Sequence, residues 1–221
     1  MVAMFPLLAA ALLATQAPAP RDARVVEEIV AVVRNPPGAA PRVVTLTKLA
    51  EEARIALVSR GAVAAATRPL DAEALRAALD WLLDQMILAD EAARLGLEEV
   101  DRDAVGAALR RFRGQFPSPA AYARFLETSE LTEEELSATL ARMVRVERYV
   151  QSRVGRAARV SDEEVTRYLE AHGARADPGP ARDAARAQLE EEQVRAQVGA
   201  LLAELRGRAD LRVLAPPRGG S

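Results

Sequence analysis

At 221 residues, half of them hydrophobic, the chain is long enough to bury a core and is not disordered throughout. Aromatics make up only 4% while alanine and leucine recur everywhere, which favours packed helices over a sheet-rich core. The net charge is −2, from 30 basic and 32 acidic residues spread along the whole chain, so no positive patch is set aside for nucleic acid. Cysteine is absent, which removes disulfides and thiolate chemistry and leaves the compartment open.

The amino terminus speaks to compartment. Residues 4–14 read MFPLLAAALLA, an uncharged apolar run followed by TQAPAP before the first charged residue, Arg21. The pattern predicts a secretory signal over residues 1–19. The run is shorter than the ~20 apolar residues of a membrane span. No Lys or Arg precedes it, and a cut after Ala17 or Ala19 leaves proline immediately downstream, so a retained hydrophobic tail is the alternative.

Residues 25–33 (VVEEIVAVV) and 42–47 (RVVTLT) predict two short strands joined by the turn NPPGAAP. Thr47 is a plausible N-cap for a helix that carries Leu49, Ala53, Ala56 and Leu57 on one face and stops at Gly61. An alanine-rich connection follows. Asp71 then caps a long helix in which Leu75, Leu79, Leu82, Met86, Ala89 and Ala93 recur at alternating spacings of four and three, and Gly96 ends it. Leu83 and Ile87 widen that stripe, and Trp81, Leu82 and Met86 read as core.

Asp101 opens a shorter helix with Val105, Leu109 and Phe112, and Ser118-Pro119 opens another with Tyr122, Phe125 and Leu126. Two capping boxes, Thr132 to Glu135 and Ser161 to Glu164, mark further helix starts. The first introduces a helix to about Val154 with Leu136, Leu140, Met143, Val146 and Val150 on one side. The second introduces a short helix with Val165, Tyr168 and Leu169 that ends near His172. GARADPGP reads as loop, and a long helix over 181–208 carries Val194, Val198, Leu201 and Leu205. Residues 211–214 (LRVL) form a strand only in company, which predicts pairing with a strand near the amino terminus.

Nothing in the sequence marks a catalytic centre. His172 sits at a helix end, where it suits the last carbonyls, and no oriented partner is visible. One histidine and no cysteine leave no basis for a metal site of those ligands, and no cofactor loop follows a strand. Ser59 and Ser137 lack a histidine partner. The acidic runs Glu27-Glu28, Glu51-Glu52, Glu98-Glu99 and Glu190 to Glu192 read as solvated faces or helix starts. Phe112, Phe116, Tyr122, Phe125 and Met143 remain as candidates for peptide binding, clustered on the short helices. Two roles are open to them, lining a groove for extended polypeptide or filling the core.

The order of these pieces resembles the amino-terminal region of SurA-type chaperones. EEIVAVVRN, VVTLTKL and LDWLLDQMILADEAARLGLEEVDRDAVGAALRRFRGQF are similar to that family's strand pair and first helices. FLETSELTEEELSATLARMVRVERYVQSRV and VSDEEVTRYLEAH look like its long helix and the crossover to a parvulin domain. The chain departs from the family there, because GARADPGP leaves no room for the isomerase. The resemblance implies a mainly α fold with a small β-sheet of short N-terminal strands and a C-terminal strand. It divides the chain into a signal (1–19), a chaperone domain (20–172), a linker where the parvulin domain is missing (173–180), a returning helix and strand (181–214) and a disordered tail (215–221). It implies a non-enzymatic, ATP-independent periplasmic protein. The partners it implies are unfolded polypeptides, outer-membrane β-barrel precursors among them, with no nucleic acid and no membrane span after signal cleavage. A helical scaffold for one specific partner is the other reading, and terminal strands that close a fold could also exchange in a homodimer.

Overall fold

The computed structural model describes residues 27–97, 99–155, 159–172 and 179–214. The expected signal over 1–19, the start of the first strand at 25–26, residues 173–178 of the linker and the tail at 215–221 lie outside them. Among the described residues the chain folds as two strands, eight helices and a closing strand. These are β1 (Ile29–Arg34), β2 (Arg42–Thr45), α1 (Leu46–Ser59), α2 (Val63–Ala66), α3 (Ala72–Arg94), α4 (Arg102–Arg113), α5 (Pro119–Thr128), α6 (Glu133–Val154), α7 (Asp162–Ala171), α8 (Pro180–Arg208) and β3 (Asp210–Val213). The fold is mainly α with a small β-sheet, as expected. None of the described helices is long and apolar enough to cross a membrane.

The sheet has the order β2-β1-β3, with both pairings antiparallel. Val32 lies opposite Val43 on one side and Arg212 on the other. The carboxyl-terminal strand thus returns to the amino-terminal one, and Arg34 donates to Asp210 at 3.1 Å across 176 positions of sequence. A bulge between Ile29 and Ala31 lets Val30 and Ala31, adjacent in sequence, both bury completely. Asn35 and Arg42, flanking the hairpin connection, both donate to Asp90 of α3 and pin the hairpin to that helix.

Local capping sets most helix boundaries. Asp71 Oδ1 accepts from Ala74 N–H at 2.7 Å, and both capping boxes form. Gly61 and Gly96 take left-handed φ values of 82° and 73°, the stops expected of them. The start of α1 differs from expectation. Its cap is Thr45, whose Oγ1 accepts from Lys48 N–H at 3.2 Å, because β2 runs into the helix without a loop. The N–H of Thr47 turns instead to the Glu27 carboxylate. The alanine-rich connection holds the single turn α2, and Pro180, assigned to the linker, is the first residue of α8.

Packing falls into four clusters. The inner face of the sheet packs on α1 and the first half of α3 through Val33, Val44, Leu49, Leu79 and Leu82. The end of α1 meets α4, α5 and α6 around Phe112, Phe125, Leu136 and Leu140. The second half of α3 meets α6 and the end of α8 through Ile87, Ala92, Tyr149, Leu201 and Leu205. A satellite joins α7 to the start of α8 through Val160, Val165, Leu169 and Ala185. Helix α3, about 35 Å long, takes part in two of these clusters and is the spine of the molecule. Leu82 is buried as expected, whereas Trp81 and Met86 lie half-buried at the margin of the core.

One acidic run is not a solvated face. Glu52 is fully buried. Its carboxylate accepts from Arg142 Nη2 at 2.5 Å and from Thr139 Oγ1 at 3.2 Å, with Lys48 Nζ at 3.6 Å. This arrangement ties α1 to α6 inside the protein, and a buried carboxylate without its cation is strongly unfavourable. Arg142→Met should therefore cost about 3–5 kcal/mol, while the double variant Glu52→Met with Arg142→Met should recover most of it. Urea unfolding followed by circular dichroism measures both, and equal midpoints for Arg142→Met and the parent would refute the pairing. Deleting residues 181–221 removes Leu201, Leu205 and the β3 edge together. The truncated chain should lose its cooperative thermal transition, and a melt superposable on the parent's would show that the chain ends do not support one another.

Candidate functional site

Helices α3 and α6 pack side by side, α4 lies against α6, and α8 touches both α3 and α6 near its own carboxyl end. The splay between α4 and α8 leaves a cleft of about 600 Å³. The end of α1 closes one side of it with Ala56, Ser59 and Arg60. The walls are largely apolar: Leu88 from α3, Phe112 from α4, Met143 and Val150 from α6, Val198 and Leu202 from α8. Charged side chains edge it. Asp84 accepts from Arg206 Nε at 2.6 Å, which fastens α8 to α3 beside the opening. The Arg60 guanidinium lies 6.0 Å from the centroid of the Trp81 ring, a cation over an aromatic face.

Gln85 of α3 contributes to the wall, but its Oε1 is shut off from solvent and, among the described residues, receives no hydrogen bond. A buried amide oxygen left without a donor costs about 1–3 kcal/mol.

Of the five residues singled out from sequence, the structure brings four together inside the protein. Phe112, Phe116, Tyr122 and Phe125 are at most 8% exposed. Their rings pack at centroid separations of 5.8 Å (Phe112–Phe116), 5.9 Å (Phe112–Phe125), 5.6 Å (Phe116–Tyr122) and 5.2 Å (Phe116–Phe125). They fill the space between α4, α5 and α6 and do not present an open aromatic groove. The Tyr122 hydroxyl donates to Glu133 at 3.1 Å, and burial pushes its phenol above the ordinary range. Phe112 alone of the rings also reaches the cleft, where Met143, the fifth residue, is half-buried in the wall. His172 caps α7 and stacks on Tyr168 at 4.1 Å, with Nδ1 2.8 Å from the Tyr168 carbonyl oxygen.

Sequence reasoning missed Trp81, Gln85, Leu88, Val198 and Leu202. A signal was present for each. Trp81, Gln85 and Leu88 lie at spacings of four and three on a face beside the main stripe of α3, and Val194, Val198 and Leu202 form a thin apolar line on an otherwise polar helix. Val194 is exposed and Val198 half-buried, because that part of α8 runs past the opening.

No protein-family model matches this chain, and no curated protein matches its sequence.

Removing the orphaned acceptor is the direct check on the cleft. Gln85→Met keeps the length of the side chain and deletes the unpaired oxygen, so it should stabilise the protein by about 1–2 kcal/mol. A raised melting temperature in calorimetry is the expected result, and a clear loss of stability would mean that Gln85 already has a partner.

Proposed function

We propose that the protein is a non-catalytic, ATP-independent chaperone that binds unfolded or partly folded polypeptides after export, with the cleft between α4 and α8 as the binding surface. The observation that carries this reading is the cleft, with its apolar walls and charged edge. Its volume falls within the roughly 300–1,000 Å³ of ligand pockets, room for a few apolar side chains of an extended segment. Met143 can adapt to differing side chains. Affinity from modest apolar burial is weak per site, so a client leaves when its own folding buries the same surface.

The resemblance to SurA-type chaperones supports the same reading and extends it to the periplasm and to outer-membrane β-barrel precursors as clients. The alternative is a scaffold that holds one specific envelope partner or a second copy of the chain. The exposed apolar side chains on the two edge strands favour it, since Val43 of β2, Val213 of β3 and Leu214 just beyond it are all at least half exposed.

Light scattering separates the two readings. A denatured outer-membrane β-barrel protein and an unrelated soluble protein are each diluted from denaturant, with and without a near-equimolar amount of the purified chain. Suppressed aggregation of both marks a general holdase, and of the barrel alone a dedicated one. No suppression of either, together with stable recovery of one stoichiometric partner, would replace the chaperone by the scaffold.

A further inference from the structure

A second cavity, of about 550 Å³, opens at the other end of α1, between that helix, the connection from α2 to α3 and the end of α5. Its floor is apolar, with Ala66, Leu70 and Leu75 all buried. Two guanidinium groups line it, Arg54 from α1 and Arg68 from the connection. Among the described residues neither has a hydrogen-bond or ion-pair partner. Arg54 is half-buried, so its charge has given up part of its hydration without gaining a counter-ion. Of the two carboxylates on the walls, Glu51 is held by Lys48 at 3.1 Å, and Glu130 is exposed.

Glu130 adds a second observation. It takes a left-handed φ of 53° to end α5, with Leu131 N–H returning to Leu126 O at 2.9 Å. That conformation favours glycine or asparagine, and a glutamate there is strained. Glu130 lines this cavity with its carboxylate exposed, where it can accept hydrogen bonds.

We propose that this cavity binds the free carboxyl terminus of an apolar polypeptide. The terminal carboxylate pairs with Arg54 and Arg68, the last side chains lie on the Leu70 and Leu75 floor, and a backbone N–H donates to Glu130. An apolar floor beside unpaired cations selects a ligand with an apolar tail and an anionic end. The carboxylate of Glu130 turns the choice toward a peptide, because a fatty acid offers the same tail and head but no N–H to donate. The site is separate from the cleft and does not depend on the function proposed for it.

The test uses the full chain and fluorescence polarisation of a dansyl peptide, Gly-Ser-Ala-Leu-Val-Leu, with a free carboxyl terminus, its carboxamide twin, and dodecanoate as competitor. The free acid should bind at least about tenfold more tightly than the amide. Arg54→Gln and Arg68→Gln should each remove most of that preference with unchanged thermal melting, and Gln85→Met in the cleft should leave it intact. Should Arg54→Gln fail to fold, Arg54→Lys keeps the charge and loses the planar fork, and it should still weaken the acid selectively. Equal binding of acid and amide, no binding of either, or displacement by dodecanoate at concentrations below those of the unlabelled peptide would each overturn the proposal.

Discussion

Strand β1 has neighbours drawn from opposite ends of the chain, and everything distal to it is arranged by that fact. A lone strand or hairpin is barely stable in water. β1 is nonetheless among the most buried segments of the protein, with Val30, Ala31 and Val33 fully enclosed. Its second edge is completed only when β3 returns, and β3 can return only because α8 carries the chain back past α6 and α3. The pairing therefore fixes where α8 crosses the spine, and Leu201 and Leu205 fix how deeply it sits. The cleft is a consequence, because one wall of it is the stretch of α8 upstream of those anchors.

The buried Glu52 group performs the corresponding task for the other half. Helices α1 and α6 belong to distant parts of the sequence, and apolar contact alone would permit several relative positions. A carboxylate that must be met by Arg142 and Thr139 permits far fewer. With α6 set against α1, the aromatic cluster of α4 and α5 has a fixed surface to pack on. Its four rings complete a compact unit, of which Phe112 alone reaches the cleft.

The functional surface lies where the packing is interrupted. Between its satellite cluster with α7 and its anchors at Leu201 and Leu205, α8 is mostly polar and exposed, and Val198 lines the opening. A helix secured at two places and unsupported between them can border a cleft without filling it. The same logic applies at the far end of α1, where short connections meet three helix ends, and helix ends pack less completely than helix faces.

The sequence by itself determined the mainly helical class, nearly every helix boundary and the return of the last strand. Those features rest on interactions within a few residues: a hydroxyl reaching an N–H three positions on, a glycine tolerating positive φ, an apolar stripe of period 3.6, a strand too short to stand alone. The exceptions are instructive. Thr45 caps α1 in place of Thr47 because the sheet decides where β2 ends. Glu52 is buried although its neighbours in sequence mark a solvated run, since its partners lie on a helix some ninety residues away. Phe112, Phe116, Tyr122 and Phe125 were legible as a cluster with two open roles, groove or core, and only packing decided for the interior, because periodicity identifies a face without saying what covers it. The cleft, its orphaned glutamine and the cavity between Arg54 and Arg68 were decided by tertiary structure alone, for each is a space left between elements, and no local pattern encodes a space.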